Sequence, residues 1–406
     1  MSKRTMTGGI QTVAQKRVSK AVATGRDGGE PCAGKSAAAE GLGFSALAFR
    51  RRLGAWYQEN ARVLPWRGVE DPYATWLSEI MLQQTRVATV IDRYKEFLKR
   101  FPTIHALAMA EEEDVLALWS GLGYYRRARM LHRGAQFVDR EFGGKLPRSA
   151  VKLRTLPGVG EYTAAAVASI AFGESVAVLD GNVERVLLRV LGQAEQKGAK
   201  ARASLAEAAQ SLMPAASRKS SGENAPGDHN QAMMELGATI CLPRAPLCLQ
   251  CPVVELCKTR GEHITGARSK MQSRTVAHLL AVRKRGVATE VLLERRPADA
   301  SLMAGMLELP ALPVAATVGR EPVLRLRHAI TNTNYYVQVF SEGTAFKDAS
   351  EDGEAEVSLM ENLSAAKADL KWVSTTKLGH QPLTGLARKA LQRLNLMALP
   401  QVTIRF

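Results

Sequence analysis

The chain has 406 residues, 46% of them hydrophobic, with 33 glycines and a formal net charge of +16. That length supports more than one core, so two domains with tails are expected. Its apolar runs stop short of the ~18 residues a membrane span requires, and the N-terminus lacks the apolar stretch of a secretory signal, so neither a transmembrane nor a secreted protein is expected. The positive balance suits a polyanionic partner, a trait shared by nucleic-acid, ribosomal and membrane-surface proteins.

Residues 1 to 44 are rich in Ala, Gly, Ser, Lys and Arg and hold too little apolar surface to offset chain entropy, so disorder is expected there. Lys3, Arg4, Lys16, Arg17, Lys20 and Arg26 precede any acidic residue. A nucleic-acid-binding arm, a transit segment and a solvated tail all fit that pattern. Helical periodicity runs from Phe44 to Tyr57 and breaks at Leu64-Pro65-Trp66-Arg67. Asp71 and Pro72 then form an N-cap and first-turn pair. They predict one long helix with Trp76, Ile80, Val87, Ile91 and Tyr94 along a stripe. Within it, Glu79 sits among Trp76, Leu77, Ile80, Met81 and Leu82. A carboxylate in that setting is costly and its pKa should rise, unless it faces water at the edge of the stripe. Gln83 and Gln84 read as surface amides.

Helices are predicted over about 104 to 119 and 125 to 142, separated by Gly121-Leu122-Gly123-Tyr124 and followed by Arg126, Arg127 and Arg129. The turn is either a wedge for a base stack, with guanidinium groups on phosphates, or a helix corner whose apolar side chains pack inward. The stretch from Val151 to Asn182 reads as a short helix, a Gly-rich hairpin, a longer helix, a loop and a capping aspartate. Pro157, Gly158 and Gly160 turn the chain, and the free N–H groups of the next helix suit one anion. Asp180 precedes a periodic run from Val183 to Leu191 that Gly192 closes. Such an aspartate serves as a helix cap or as a charge beside a ligand.

Residues 199 to 213 are predicted helical and 215 to 228 form a polar loop. Periodicity resumes at Asn230 and runs through Glu235 into Cys241. Cys241, Cys248, Cys251 and Cys257 follow with the spacing C-x6-C-x2-C-x5-C, and only Cys32 stands apart. Four thiols in so short a span indicate a common metal centre in a reducing compartment, with zinc and iron–sulfur both open. Residues 262 to 274 read as a linker. Beyond it, TVAHLLAVRK, EVLLERR and NYYVQVF alternate as strands and Ala387 to Leu396 as a helix, which marks a separate α+β domain.

The segments LPWR, SEIMLQQTRVATV, WSGLGYYRRAR, LPGVGEYTA, LDGNV and NQAMMELG, with the cysteine pattern, occur in the order found in the MutY-type adenine DNA glycosylases. Over residues 45 to 260 the chain resembles that family. The resemblance implies a mainly α helix-hairpin-helix domain at 45–261, with its hairpin at 151–171 and an iron–sulfur loop at 241–257. A linker at 262–274 and a smaller α+β Nudix-like lesion-recognition domain at 275–406 would follow. One 4Fe-4S cluster would sit on Cys241, Cys248, Cys251 and Cys257. Glu79 would protonate adenine N7 and Asp180 would stabilise the oxocarbenium-like sugar, with Tyr162 and Asn182 supporting Asp180 and the water. Trp66, Arg67, Leu82 and Glu235 would line the base pocket. Gln84, Leu122 and Tyr124 would fill the gap left in the duplex, and Gly158, Val159 and Gly160 would grip the DNA backbone.

Bifunctional relatives such as endonuclease III carry a Schiff-base lysine where this chain has Tyr162, so base removal without strand cutting is expected. The alternatives are a bifunctional glycosylase and lyase, and a non-catalytic iron–sulfur DNA-binding protein. The expected partner is duplex DNA with adenine opposite 8-oxoguanine or guanine, bound by a monomer in the cytoplasm, with no membrane involved. One departure stands out. Ile330-Thr331-Asn332 replaces the Phe-Ser-His usual in the lesion-reading hairpin, leaving Thr331 to supply the hydroxyl.

Overall fold

Capping chemistry sets the first helices. In the computed structural model, which describes residues 42–196, 198–216, 225–263, 270–300, 302–330, 332–341, 359–360, 363 and 369–397, the Ser45 side chain accepts from Ala48 N and opens α1, Ala46–Asn60. Asp71 accepts from Tyr73 N at 2.9 Å and opens α2, Pro72–Leu82, with Pro72 in the first turn. The expected long helix is two helices. α2 ends at Leu82, Gln84 adopts φ +55°, and α3, Val87–Arg100, starts afresh. No Pro or Gly marks that break. It is held instead by the Arg127 guanidinium, which donates to the carbonyls of Ile80, Met81 and Gln83 at 2.8, 3.0 and 2.5 Å. The helix expected over 104 to 119 is likewise divided, into α4, Ile104–Ala108, and α5, Glu112–Leu118.

α6, Arg126–Phe142, leads to the short α7, Ala150–Leu153, and the turn into α8, Glu161–Phe172. Side chains from Thr163 to Ser169 of α8 are all buried, four of them alanines. Small residues on every face let neighbouring helices approach from all sides. One apolar core, with Trp76, Phe97 and Trp119, takes in Ala164, Val167 and Ala168. A second, with Phe49, Leu53, Met233 and Leu236, gathers α1, α9, Gly181–Leu191, and α11, Ala225–Thr239. Between α9 and α11 lies α10, Ala199–Ser211. α11 begins five residues before the periodicity predicted, so Ala225–Asp228 is helix where a loop was expected; residues 217–224 of that loop lie outside the described residues.

The C-terminal part is α+β, as the strand-like alternation implied. β1, Gln272–Leu280, runs parallel to β7, Thr333–Ser341, which pairs antiparallel with β6, Leu324–Ile330. β5, Ala311–Leu312, closes the other edge. In the second sheet β3, Ala288–Arg295, is flanked by β2, Val282–Arg285, β4, Leu307–Glu308, and β8, Asp369–Ser374. Alternate residues face opposite ways. Val291, Leu293, Val337, Val339 and Val373 pack with α12, Gly385–Arg393, while Leu279, Leu292 and Phe340 pack with Leu359 and Leu363. The described residues lie in one compact unit. No helix among the described residues is long and apolar enough to cross a membrane. The disorder expected for residues 1 to 44 falls almost wholly outside the described residues, as do 264–269 of the expected linker and Thr331.

Candidate active site

The hairpin before α8 is sterically exacting. Gly158 has φ +75°, and a Cβ there would stand 2.3 Å from Met130 Cβ, so α6 lies against the turn as only glycine allows. Gly160 is the N-cap of α8, and no side chain caps it. The helix therefore opens with N–H groups directed at the surrounding space, the polarity that holds an anion. Val159, between them, is buried at 8% exposure and serves the core.

Glu79 is buried at 6% exposure on α2. The Tyr162 hydroxyl, from the first turn of α8, donates to Glu79 Oε2 at 2.6 Å. Burial drives the carboxyl upward, the Tyr162 bond opposes that, Asp180 pushes it further up and Arg67 draws it down; it comes to about 7. Near neutrality Glu79 thus divides between acid and carboxylate. Since the phenol occupies Oε2, Oε1 is the oxygen left to carry the proton. Burial also raises the Tyr162 hydroxyl well above its usual value, with Glu79 and Asp180 adding to the effect, so it stays a neutral donor.

Asp180 is the N-cap of α9. Its Oδ1 accepts from Asn182 N at 2.9 Å and Val183 N at 2.7 Å, and its Oδ2 accepts from Asn182 Nδ2 at 3.0 Å. Three N–H donors at the positive end of a helix hold an anion in place. The Asn182 amide is oriented from behind, because Arg185 Nη2 donates to its Oδ1 at 2.9 Å. The same Nη2 reaches the Gly237 carbonyl at 2.6 Å, and Arg185 Nε reaches the Cys241 carbonyl at 2.8 Å. One guanidinium thus ties the capping aspartate to the start of the cysteine loop. Gly237 makes the approach possible, for a Cβ there would lie 2.6 Å from Asn182 Cβ. Periodicity alone does not reveal Arg185. It reads as one more surface cation.

A single cavity of about 960 Å³ joins these groups, lined among others by Leu82, Gln84, Tyr124, Tyr162, Asp180 and Asn182. Gly158 and Gly160 border it, and Glu79 stands behind its wall through Tyr162. Gln84 is exposed at the α2–α3 break. Tyr124 is 46% exposed with φ +47°, held on the turn. Leu122 departs from the expectation of a wedge: it is 4% exposed and packs in the core with Trp119. The arginines after the turn also divide. Arg127 is turned inward on backbone carbonyls, Arg129 pairs with Glu112 at 2.8 Å, and Arg126 is exposed at the cavity.

Three residues expected to line the same pocket do not. Trp66 is buried and meets Tyr94 edge-on at 5.5 Å. Glu235 is 1% exposed and bound by Arg62 at 2.7 Å and Arg67 at 2.6 Å. Burial alone would raise the Glu235 carboxyl, but the hydrogen bonds from the two arginines hold it at about 2. Arg62 and Arg67 instead line a second cavity of about 610 Å³ with Tyr57 and His229. Arg67 still acts on the first site, since its charge is felt at Glu79.

Cys241, Cys248, Cys251 and Cys257 are half-buried and line one small, largely apolar cavity between α9, α11 and the loop after it. The buried Arg189 donates to Cys241 Sγ at 3.3 Å, and Arg260 N to Cys257 Sγ at 3.5 Å. Burial pushes the Cys251 thiol up to about 11, so a bound metal would have to displace its proton. Among the described residues no three His, Cys, Asp or Glu side chains converge as ligands of one ion. Four soft donors facing a common apolar space, with N–H donors directed at sulfur, fit a thiolate-bound metal group.

Residues 77–211 match the family described as HhH-GPD superfamily base excision DNA repair protein. The chain is 50% identical over 223 residues to the human adenine DNA glycosylase, a match covering 52% of this chain and 39% of the human protein. It is 38% identical over 217 residues to the adenine DNA glycosylase of Buchnera aphidicola subsp. Baizongia pistaciae, covering 53% and 59% of the two chains. The chain therefore spans less than two thirds of the length of either relative. Among solved structures, a thermostable thymine-DNA glycosylase aligns with a TM-score of 0.48 and 30% identity over 53% of this chain and 96% of that one.

Proposed function

We propose, from the match of residues 77–211 to the HhH-GPD superfamily of base excision DNA repair proteins, that the chain is a monofunctional adenine DNA glycosylase acting on adenine opposite 8-oxoguanine or guanine in duplex DNA. The observation that carries the reading is Tyr162. Its hydroxyl links Glu79, a carboxyl that burial keeps near neutrality, to the cavity in which Asp180 stands. Hydrolysis of an N-glycosidic bond needs both kinds of acid.

In this mechanism the flipped nucleotide enters the cavity and Glu79 gives its proton to adenine N7. The C1′–N9 bond breaks with its electron pair passing to the base, which leaves neutral. Positive charge develops on the sugar, and Asp180 stabilises it from across the cavity. Water then adds at C1′ and loses a proton to Asp180 or solvent, a step that Asn182 supports by fixing the Asp180 carboxylate. Leu82 meets the base, Tyr124 and Gln84 occupy the space it leaves, and the Gly158–Gly160 turn holds a phosphate. Arg67, held by Glu235, acts on Glu79 by its charge from behind the wall.

A phenol cannot form the imine that β-elimination requires, and no lysine is among the described residues lining the cavity. The four cysteines would hold one 4Fe-4S cluster, which would cross-link the loop of residues 241–257, while Arg185 and Arg189 tie that loop to α9. The C-terminal part would be a Nudix-like reader of the opposite base, through the β6–β7 hairpin and Thr331. The protein would act as a monomer in the cytoplasm. Single-turnover incubation with adenine opposite 8-oxoguanine, followed by borohydride, tests this. Free adenine and an intact abasic strand without covalent capture are expected, whereas prompt strand cleavage with efficient capture would contradict the monofunctional reading.

A further inference from the structure

The turn that presents Tyr124 is held from two sides. From inside, Arg127 Nη2 donates to the Leu122 and Gly123 carbonyls at 3.1 Å each, and Trp119 Nε1 to Gly123 O at 3.2 Å. From outside, it is gripped by the C-terminal part. The Tyr125 hydroxyl donates to the Leu383 carbonyl at 3.0 Å and Ser120 Oγ donates to the same oxygen at 3.3 Å. Arg388 Nε donates to Ser120 Oγ at 2.9 Å. Tyr125, Ser120 and Leu383 are 4%, 0% and 0% exposed, so water does not compete for these bonds.

Leu383 is the residue before the Thr384 N-cap of α12. That position is locked to the α+β core: Leu307 N donates to Pro382 O and Thr384 N to Leu307 O, each at 2.9 Å. The far side of α12 touches the β6–β7 hairpin. Lys389 Nζ donates to the Arg327 carbonyl at 2.8 Å, and a Cβ on Gly385 would stand 3.5 Å from His328 Cε1. The helix therefore bridges the two: it meets the hairpin through the exposed Lys389 hydrogen bond and the close approach of Gly385 to His328, and the Tyr124 turn through the buried bonds to Leu383 O.

We infer that Tyr125 and Arg388 are positioning residues that couple the β6–β7 hairpin to the Tyr124 turn, so that what the hairpin meets on one strand sets how the turn is presented to the other. This rests on the glycosylase reading above for its consequence, discrimination between opposite bases, but not for the coupling itself. Both lone pairs of one carbonyl oxygen are engaged by the turn's flanks. A displacement of α12 by the hairpin is thus transmitted to Ser120 and Tyr125 as changed hydrogen-bond geometry. A packed interface responds to such a displacement between discrete arrangements.

Two measurements on the full chain decide this. In hydrogen exchange, Arg388→Ala should speed exchange of the 121–124 amides, and Tyr125→Phe should speed exchange across 383–388 and the described hairpin residues. In single-turnover adenine release, both variants should lower the ratio of rates for adenine opposite 8-oxoguanine and opposite guanine by about fivefold, the low end of site-to-site coupling. Their rate for adenine opposite an abasic analogue, which offers the hairpin no base, should match wild type. Exchange changes confined to the mutated side overturn the inference. So does an unchanged ratio, or an equal loss on all three duplexes, which is what simple destabilisation gives. If wild type releases adenine from none of them, the glycosylase reading fails and the exchange result still decides the coupling.

Discussion

Two buried glutamates sit in neighbouring regions of the helical part and end in opposite states. Glu79, 6% exposed beside the large cavity, has one phenol as partner and comes to about 7. Glu235, 1% exposed on α11, has two guanidinium partners and is held at about 2. Both side chains are almost wholly removed from water, yet burial prevails only at Glu79, where one phenol opposes it; at Glu235 the hydrogen bonds from two guanidinium groups outweigh it. One region is built to hold a transferable proton, the other to be a fixed ion pair with no proton to give.

The largest effect should come from removing the transferable proton. Glu79→Gln keeps the shape and should lower single-turnover adenine release at least ~100-fold, the scale of general-acid catalysis. The same variant should not lose stability in alkali. Because the Glu79 pKa is raised on folding, its contribution is full below about 4.5 and is lost as pH rises through about 7, so at pH 8 thermal unfolding of Glu79→Gln should occur at or above the wild-type temperature. A clear fall in melting temperature at pH 8 would show that the carboxylate form is the one the fold supports.

The matching change at the other glutamate should do the reverse. Glu235→Gln leaves two arginines facing an uncharged amide and should cost about 3 kcal/mol at neutral pH, the scale for breaking a buried ion pair. Here the pKa is depressed, so the stabilisation is present above about 4.5 and disappears as pH falls toward about 2. Wild type and variant should accordingly converge in acid denaturation. Parallel curves across that window would mean the pair contributes nothing through charge.

Much of this contrast was legible in the residues themselves. Glu79 lies among Trp76, Leu77, Ile80, Met81 and Leu82, and Asp180 precedes a periodic run, so a raised pKa for the first and a capping role for the second were among the readings that local rules offer. The Gly158 turn and the four cysteines were equally plain, because their spacing admits few other uses. What escaped was long-range pairing. Arg127 reads as a phosphate contact and Arg185 and Arg189 carry no local signal, yet their guanidinium groups satisfy the backbone carbonyls of Met81, Gly237 and Leu242. The α2–α3 break was invisible for the same reason, since its cause is Arg127, more than 40 residues away in sequence. The motifs imply Leu122 in the duplex gap and Trp66 in the base pocket, whereas packing draws both into the core. Glu235 was assigned to the pocket, but its position beside Arg62 and Arg67 needs the fold.

The pH profile of single-turnover adenine release from adenine opposite 8-oxoguanine tests the central claim most directly. Wild type should be fully active in the protonated range and lose half its rate as pH rises through about 7, where Glu79 gives up its proton. Tyr162→Phe removes a bond that lowers that pKa, so its alkaline limb should move to higher pH. A wild-type rate that already falls through about 4.5, or an alkaline limb that Tyr162→Phe leaves in place, would contradict the account of Glu79 as the acid poised by burial and Tyr162.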